Sequence, residues 1–257
     1  MNAPAENIAR PRRSRWRLMV IIAYTWRSCF PLKRWAAILL PCAGALLFGL
    51  LAHADNSGAD QAFANVAAEG IFALAVPIAA LVIGDSVLGA EIRAGSFHFT
   101  WLSPTPTWQI VLGRWIGGSL VALVTIAPSA AVAAMIAGSP TSAGPALLTA
   151  AVGSFAYVAV FIAIGCITRR TAVWSLAFVF LVERLLGAAL TGIAQLSPTW
   201  ESRAIFVGML ENPPSRLRRE GIPEGGAAVV RLILVTVVAL VIANWRMRRL
   251  RLSGAAD

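Results

Sequence analysis

The amino-acid sequence predicts an all-α membrane protein with six transmembrane helices. Of its 257 residues, 58% are hydrophobic and only 13% are charged, whereas about a quarter of the residues are charged in soluble domains. The apolar residues form six runs, each near or above the roughly 20 residues that cross a bilayer core. Basic residues flank these runs, which is the pattern that sets membrane topology.

Residues 1–34 are predicted to be a cytoplasmic N-terminal region with an amphipathic helix in the membrane interface. Eight basic residues surround the apolar stretch 18–24, which is too short to span a bilayer. Trp16 and Trp26 lie at the two ends of this stretch, as in a helix that lies in the headgroup layer. A disordered basic tail is the alternative.

The transmembrane domain is predicted to cover residues 35–245. Its first span ends at Ala52-His53-Ala54, which imitates the cleavage site of a signal peptide. The charged region before this span is far longer than signal peptides use, so we favour an uncleaved span. The predicted spans are 35–52, 66–84, 110–137, 145–167, 172–194 and 227–245.

The fifth span is the weakest of the six. Glu183 and Arg184 lie near its middle, where each charge costs about 2.5–3.5 kcal/mol on the insertion scale. Its Leu, Ile, Phe and Val residues each favour insertion by about 0.3–0.6 kcal/mol, so the total free energy of insertion is near zero. We expect this span to insert with help from neighbouring helices.

The distribution of basic residues predicts the orientation. Sixteen lie on the side of the two termini and four lie on the other side, so the positive-inside rule places both termini, including the tail 246–257, in the cytoplasm. The expected location is the cell inner (plasma) membrane. The outer connection 195–226 is expected to contain a short helix at 198–210 on the outer membrane face, followed by a polar turn at 212–214.

Composition and motifs exclude several kinds of function. The net charge is +10, but the arginines flank apolar runs, so we interpret them as topology signals and contacts for anionic membrane lipids and expect no nucleic-acid partner. His53 and His98 and three widely spaced cysteines predict neither a metal site nor a disulfide framework. Lys33 is the only lysine, so the chain cannot supply the usual phosphate-binding loop for ATP. Motifs for nucleophilic or zinc-dependent hydrolysis are also missing, so we expect no enzyme activity and no cofactor in this chain.

Two segments resemble the permease subunits of type-2 ABC exporters. The first lies between spans two and three and carries an acidic residue, a basic residue, Gly-Ser, a Ser-Pro turn and a Gly-Arg pair. The second runs through 179–199 and contains an intramembrane glutamate, Glu183, then Leu-Leu-Gly and Leu-Ser-Pro; Arg184 replaces the small or apolar residue typical of the family. The positions of the first motif are Glu91, Arg93, Gly95, Ser96, Ser103, Pro104, Gly113 and Arg114.

The resemblance implies that the segment from Glu91 to Trp101 is a cytoplasmic coupling helix that docks on an ATPase. Pro104 and Pro106 would end such a helix, and Gly95 permits a sharp turn. An ordinary solvated loop is the alternative. The candidate coupling residues are Glu91, Arg93, Gly95, Ser96, Phe97, His98 and Trp101.

Glu183 and Arg184 are candidates for the translocation path or the interface between permease subunits. An ionisable group at mid-bilayer depth must face protein or water. Neighbouring residues on a helix point about 100° apart, so these two cannot simply neutralise each other. The alternative for Glu183 is a structural hydrogen-bonding group between helices.

The resemblance therefore implies the permease subunit of an ATP-driven ABC exporter. Two permeases, identical or different, would work with two separate ATPase subunits that bind ATP and Mg, and the cargo would be amphipathic, as in multidrug or lipid efflux. Two other classes compete with this interpretation: a membrane-embedded enzyme, and a non-transporting sensor or immunity protein of the same architecture.

Overall fold

The computed structural model describes residues 12–55, 58–93, 105–168, 170–186, 197–219 and 225–249. All regular elements in these ranges are helical, which confirms the predicted all-α class for this part of the chain. Five of the helices in the described ranges are long and apolar enough to cross a membrane. The chain is therefore a multi-pass membrane protein.

The helices are named in chain order. Helix α3 contains π-helical turns at Ala67–Ala75 and Asp85–Gly89 and continues as Ala90–Arg93, and α7 continues as the π-helical Phe178–Leu186. The helices are α1 (Arg12–Ser28), α2 (Leu32–His53), α3 (Ala59–Gly89), α4 (Thr107–Val124), α5 (Ile126–Ile136), α6 (Ala143–Ile167), α7 (Thr171–Ala177 with its π-helical continuation), α8 (Pro198–Met209), α9 (Ser215–Arg219) and α10 (Gly225–Arg249).

Five of the six predicted spans correspond to these helices. They are α2, α3, the pair α4 and α5, α6 and α10. The predicted fifth span, 172–194, lies only partly within the described residues, where α7 has a short apolar stretch, Thr171–Leu181. A sixth crossing, and the cytoplasmic location of both termini, stay predictions.

The third predicted span is interrupted at Thr125, between α4 and α5. Pro128 lies three residues later and lacks the N–H that would bond the carbonyl group of Val124. At the same point the hydroxyl of Thr125 donates to the carbonyl oxygen of Val121 at 2.8 Å. The proline therefore explains why a 30-residue apolar segment bends instead of running straight.

Small residues let the helices pack closely around α6, which contacts α3, α4, α5, α8 and α10. A Cβ atom added at Gly49 of α2 would lie 2.5 Å from the carbonyl oxygen of Ala133 in α5. A Cβ at Gly153 of α6 would lie 2.5 Å from the hydroxyl of Ser202 in α8. Such close approaches are typical of membrane helices, which associate by packing and interhelical hydrogen bonds.

Candidate functional site

A charged cluster joins α3 to α4 where the two helices approach residues 94–104. Arg114 of α4 donates from Nη1 to Oε1 of Glu91 at 2.7 Å and from Nη2 to Oε2 at 2.6 Å. Its Nη1 also donates to the carbonyl oxygen of Val87 at 2.6 Å. The Arg114 side chain is 2% exposed and that of Glu91 is 13% exposed. A buried bidentate pair of this kind fixes the relative position of the two helices.

The N-terminal helix α1 covers this pair. The guanidinium carbon of Arg114 lies 5.2 Å from the centre of the Tyr24 ring, within the range of a cation–π contact. Gly113 and Gly117 of α4 permit the approach, since an added Cβ at either would lie 2.7 Å from a side chain of α1. The nearby Glu91 carboxylate, together with burial, raises the pKa of Tyr24. Glu91, Arg114, Tyr24 and the Val87 carbonyl group are called the Arg114 clamp below.

The structure places the predicted coupling residues in two groups. Glu91 belongs to the Arg114 clamp, and Arg93 is the last residue of the helix that continues α3. The other candidates, Gly95, Ser96, Phe97, His98 and Trp101, lie outside the described residues. The resemblance implies that Glu91 interacts with an ATPase partner. In this structure both of its carboxylate oxygens accept hydrogen bonds from Arg114.

A second cluster surrounds Glu183, on the π-helical part of α7. Tyr157 of α6 donates to Oε2 of Glu183 at 2.5 Å, Thr199 donates to the same oxygen at 2.8 Å, and Ser197 donates to Oε1 at 2.8 Å. The hydroxyl oxygens of Tyr157 and Thr199 are also within hydrogen-bonding distance of each other, so either hydroxyl can donate to the other in place of Glu183, since each has a single proton. These four residues are called the Glu183 cluster below.

The Glu183 cluster lies at the N-terminus of α8. Ser197 precedes the first residue of that helix, Pro198, and makes no side-chain cap of its own. The carboxylate of Glu183 therefore occupies the position where a helix favours an anion. In this geometry Glu183 is a hydrogen-bonding group between α6, α7 and α8. The side chain of Arg184 lies outside the described residues.

Helix α8 confirms the predicted short helix near 198–210, and it is packed among α3, α6 and α10. Arg203 donates to Glu69 of α3 at 2.9 Å, and Arg231 of α10 donates to Glu201 at 3.4 Å. Burial raises the pKa of Glu201, and Arg231 opposes this shift only in part. These pairs attach a polar helix to the apolar bundle.

Sequence reasoning missed three partners in these clusters. Tyr157 had no distinguishing pattern, although the chain has only two tyrosines and each of them contacts a buried glutamate or its arginine. Glu69 and Arg231 gave a clearer signal, because each is a charged residue inside an apolar run. Such a residue needs a partner within the protein.

No protein-family model matches this sequence, and no curated protein matches it. The resemblance to type-2 ABC permeases therefore depends on the residues quoted above. Among the described residues, no group of three His, Cys, Asp or Glu side chains is placed to hold a metal ion. The Arg114 clamp and the Glu183 cluster both contain residues of the two segments that resemble type-2 ABC permeases.

Proposed function

We propose that this chain is the permease subunit of an ATP-driven exporter of the ABC type. It would form the translocation path as a dimer of permeases, and separate ATPase subunits would bind ATP and Mg. The observation that carries the proposal is the Arg114 clamp. It ties together the two helices that flank residues 94–104, and most of the segment from Glu91 to Trp101 that is expected to dock on the ATPase lies between them.

The clamp suits the transmission of force. A bidentate arginine–carboxylate pair is directional and short, and breaking a buried pair costs several kcal/mol, on the order of 3–5 kcal/mol. A push on residues 94–104 would therefore move α3 and α4 together instead of pulling them apart. Tyr24 would carry α1 with them.

Helix α3 would carry this movement across the membrane. From Glu91 to Glu69 the helix is continuous. An α-helix of this length would be about 33 Å long, and the π-helical turns shorten it, so its length stays near the thickness of a bilayer core. Glu69 is bound to Arg203 of α8. A displacement at the clamp would thus reach α8 and the adjoining Glu183 cluster, where we place the cargo path or the permease interface.

The first experiment is to identify the neighbouring genes and to co-purify the full chain with any ABC ATPase that one of them encodes. We expect a complex whose ATP turnover responds to this chain in lipid nanodiscs. Recovery of the chain without any ATPase, or an ATPase indifferent to it, would contradict the proposal. A neighbouring kinase or toxin gene would instead favour the sensor or immunity class, and hydrolytic activity of the chain alone would favour the membrane-embedded enzyme.

A matched pair of tryptophan variants tests the docking segment. Trp101→Ala changes a candidate coupling residue, whereas Trp108→Ala changes a half-exposed tryptophan near the start of α4. We expect Trp101→Ala to lower recovery of the ATPase complex and Trp108→Ala to leave it unchanged. Equal recovery with both variants would remove Trp101 from the docking surface.

A further inference from the structure

A pocket of about 350 Å³ lies between α1 and the start of α4, beside the Arg114 clamp. Trp16, Val20 and Tyr24 line it from α1, and Ile110 and Arg114 line it from α4. Its volume falls at the lower end of the range for small-molecule sites, roughly 300–1,000 Å³. The pocket is therefore large enough to hold part of an organic molecule.

The lining of the pocket combines apolar side chains with cationic ones. Trp16 is 74% exposed and Val20 is 51% exposed, so α1 presents large apolar side chains at the pocket. Arg17 also lines the pocket. An apolar pocket that is also lined by Arg17 and Arg114 fits a ligand that is itself amphipathic and anionic.

We propose that this pocket binds an anionic phospholipid of the bilayer. An acyl chain would lie against Val20 and Ile110, and the phosphate would lie near Arg17 at the N-terminal end of α1. Trp16 and Tyr24 are the residue types that occupy the headgroup layer, and juxtamembrane arginines are attracted to anionic lipid. The terminal nitrogens of Arg114 bind Glu91 and the Val87 carbonyl group, so Arg114 forms a cationic wall of the pocket. Arg17 also lines the pocket, and the phosphate would bind it in exchange for the contacts that Arg17 makes in this structure.

The test uses the purified full chain in detergent, without an ATPase. Native mass spectrometry would measure how tightly the chain binds phosphatidylglycerol and phosphatidylcholine that carry the same acyl chains. We expect phosphatidylglycerol to bind about fivefold more tightly, the contribution of one arginine near an anionic lipid. Arg17→Gln should remove this preference, and Arg27→Gln, an exposed arginine of α1 outside the pocket, should keep it.

A second pair of variants tests the acyl-chain position. Val20→Trp fills the pocket and should lose the bound lipid, whereas Val132→Trp changes a half-exposed valine of α5 and should retain it. Thermal unfolding of each variant checks that it is folded, and Arg17→Gln remains decisive should Val20→Trp misfold.

Three results would overturn the lipid proposal. They are equal lipid binding by the two tryptophan variants, equal affinity for the two lipids, or preferential binding of the cation tetraphenylphosphonium that Val20→Trp abolishes. Since no ATPase is present, each of them leaves the transport proposal standing.

Discussion

The two glutamates of the Arg114 clamp and the Glu183 cluster are stabilised in different ways. Glu91 accepts both terminal nitrogens of one guanidinium group, so one opposite charge neutralises it. Glu183 accepts three hydroxyl groups from two other parts of the chain, so several neutral dipoles share its charge. The clamp fails as a whole when either partner is lost, whereas the cluster loses its hydrogen bonds one at a time. This contrast suits a rigid attachment at Glu91 and an adjustable joint at Glu183.

The largest expected effect follows the loss of Arg114. Arg114→Met would leave the Glu91 carboxylate buried without its opposite charge, and we expect a loss of about 3–5 kcal/mol in the free energy of unfolding. Thermal unfolding of the purified chain in detergent measures the change. Arg27→Met, at an exposed arginine of α1, is the matched control and should unfold like the wild type.

A double variant that removes both charges of the clamp shows how much of the lost stability comes from leaving Glu91 without its opposite charge. Glu91→Leu combined with Arg114→Met should recover most of the stability that Arg114→Met alone loses, because an apolar pair often replaces a buried ion pair without loss. A double variant no more stable than the single one would show that the charges themselves are not coupled.

The second effect concerns Glu183. Glu183→Ala would remove the acceptor that the hydroxyls of Tyr157, Ser197 and Thr199 share, at a cost of about 1–3 kcal/mol. Glu183→Gln keeps one carbonyl acceptor and should cost less. The same unfolding measurement ranks the two variants, and equal losses would contradict the role of shared hydrogen bonds.

Measuring the export activity of Glu183→Gln distinguishes a transport role of Glu183 from a structural role between helices. Reduced export by a variant that still folds would place Glu183 in the translocation path or the permease interface. Unchanged export would assign it to structure alone, as an anchor for the N-terminus of α8.

The sequence predicted the helical class and the positions of five spans because lipid imposes long apolar runs. It could not predict that α3 begins at Ala59 instead of near residue 66. Asp60 and Glu69 lower the apolar character of this segment, and their partners are distant in sequence. Asp60 accepts hydrogen bonds from Ser139 at 2.5 Å and Thr141 at 3.2 Å.

Several residues of both clusters were predicted from the sequence as candidates, but their contacts with each other were not. Glu91 and Arg114 fall in one motif, but only the fold shows that they bind each other. Ser197 lies in the quoted Leu-Ser-Pro, whereas Tyr157 lies in an apolar span with no pattern around it. Long-range pairing of polar groups is the information that composition and periodicity lack.

Tyr157→Phe should produce a smaller effect, because Thr199 still donates to the same oxygen of Glu183. We expect a loss of about 0.5–1.5 kcal/mol, the usual net value of one hydrogen bond. Tyr24→Phe is the matched variant at the clamp: it keeps the ring contact with Arg114 but loses the hydrogen bond between the Tyr24 hydroxyl and Glu91, so it should cost a similar amount. A loss as large as that of Glu183→Ala would mean that Tyr157 holds the cluster alone.

The smallest effect is expected at Glu201, a third buried carboxylate with a poorer partner. Its ion pair with Arg231 is 3.4 Å long and the arginine is 39% exposed, so Glu201→Gln should change stability by less than about 1 kcal/mol near neutral pH. Burial raises the pKa of Glu201, so the folded chain holds this proton more tightly than the unfolded chain does. The contribution of Glu201 to stability is therefore greatest below its ordinary pKa and falls as pH rises through the raised value.

Thermal unfolding at several values from about pH 4 to about pH 8 tests this sign. The wild type should lose stability relative to Glu201→Gln as pH rises, because only the wild type must ionise the buried carboxyl. Glu211→Gln, at an exposed glutamate, should follow the wild type throughout. A difference between wild type and Glu201→Gln that stays constant with pH would mean that Arg231 stabilises the Glu201 carboxylate fully. Glu201 would then resemble Glu91, and a long, half-exposed ion pair would suffice where the clamp uses a short, buried one.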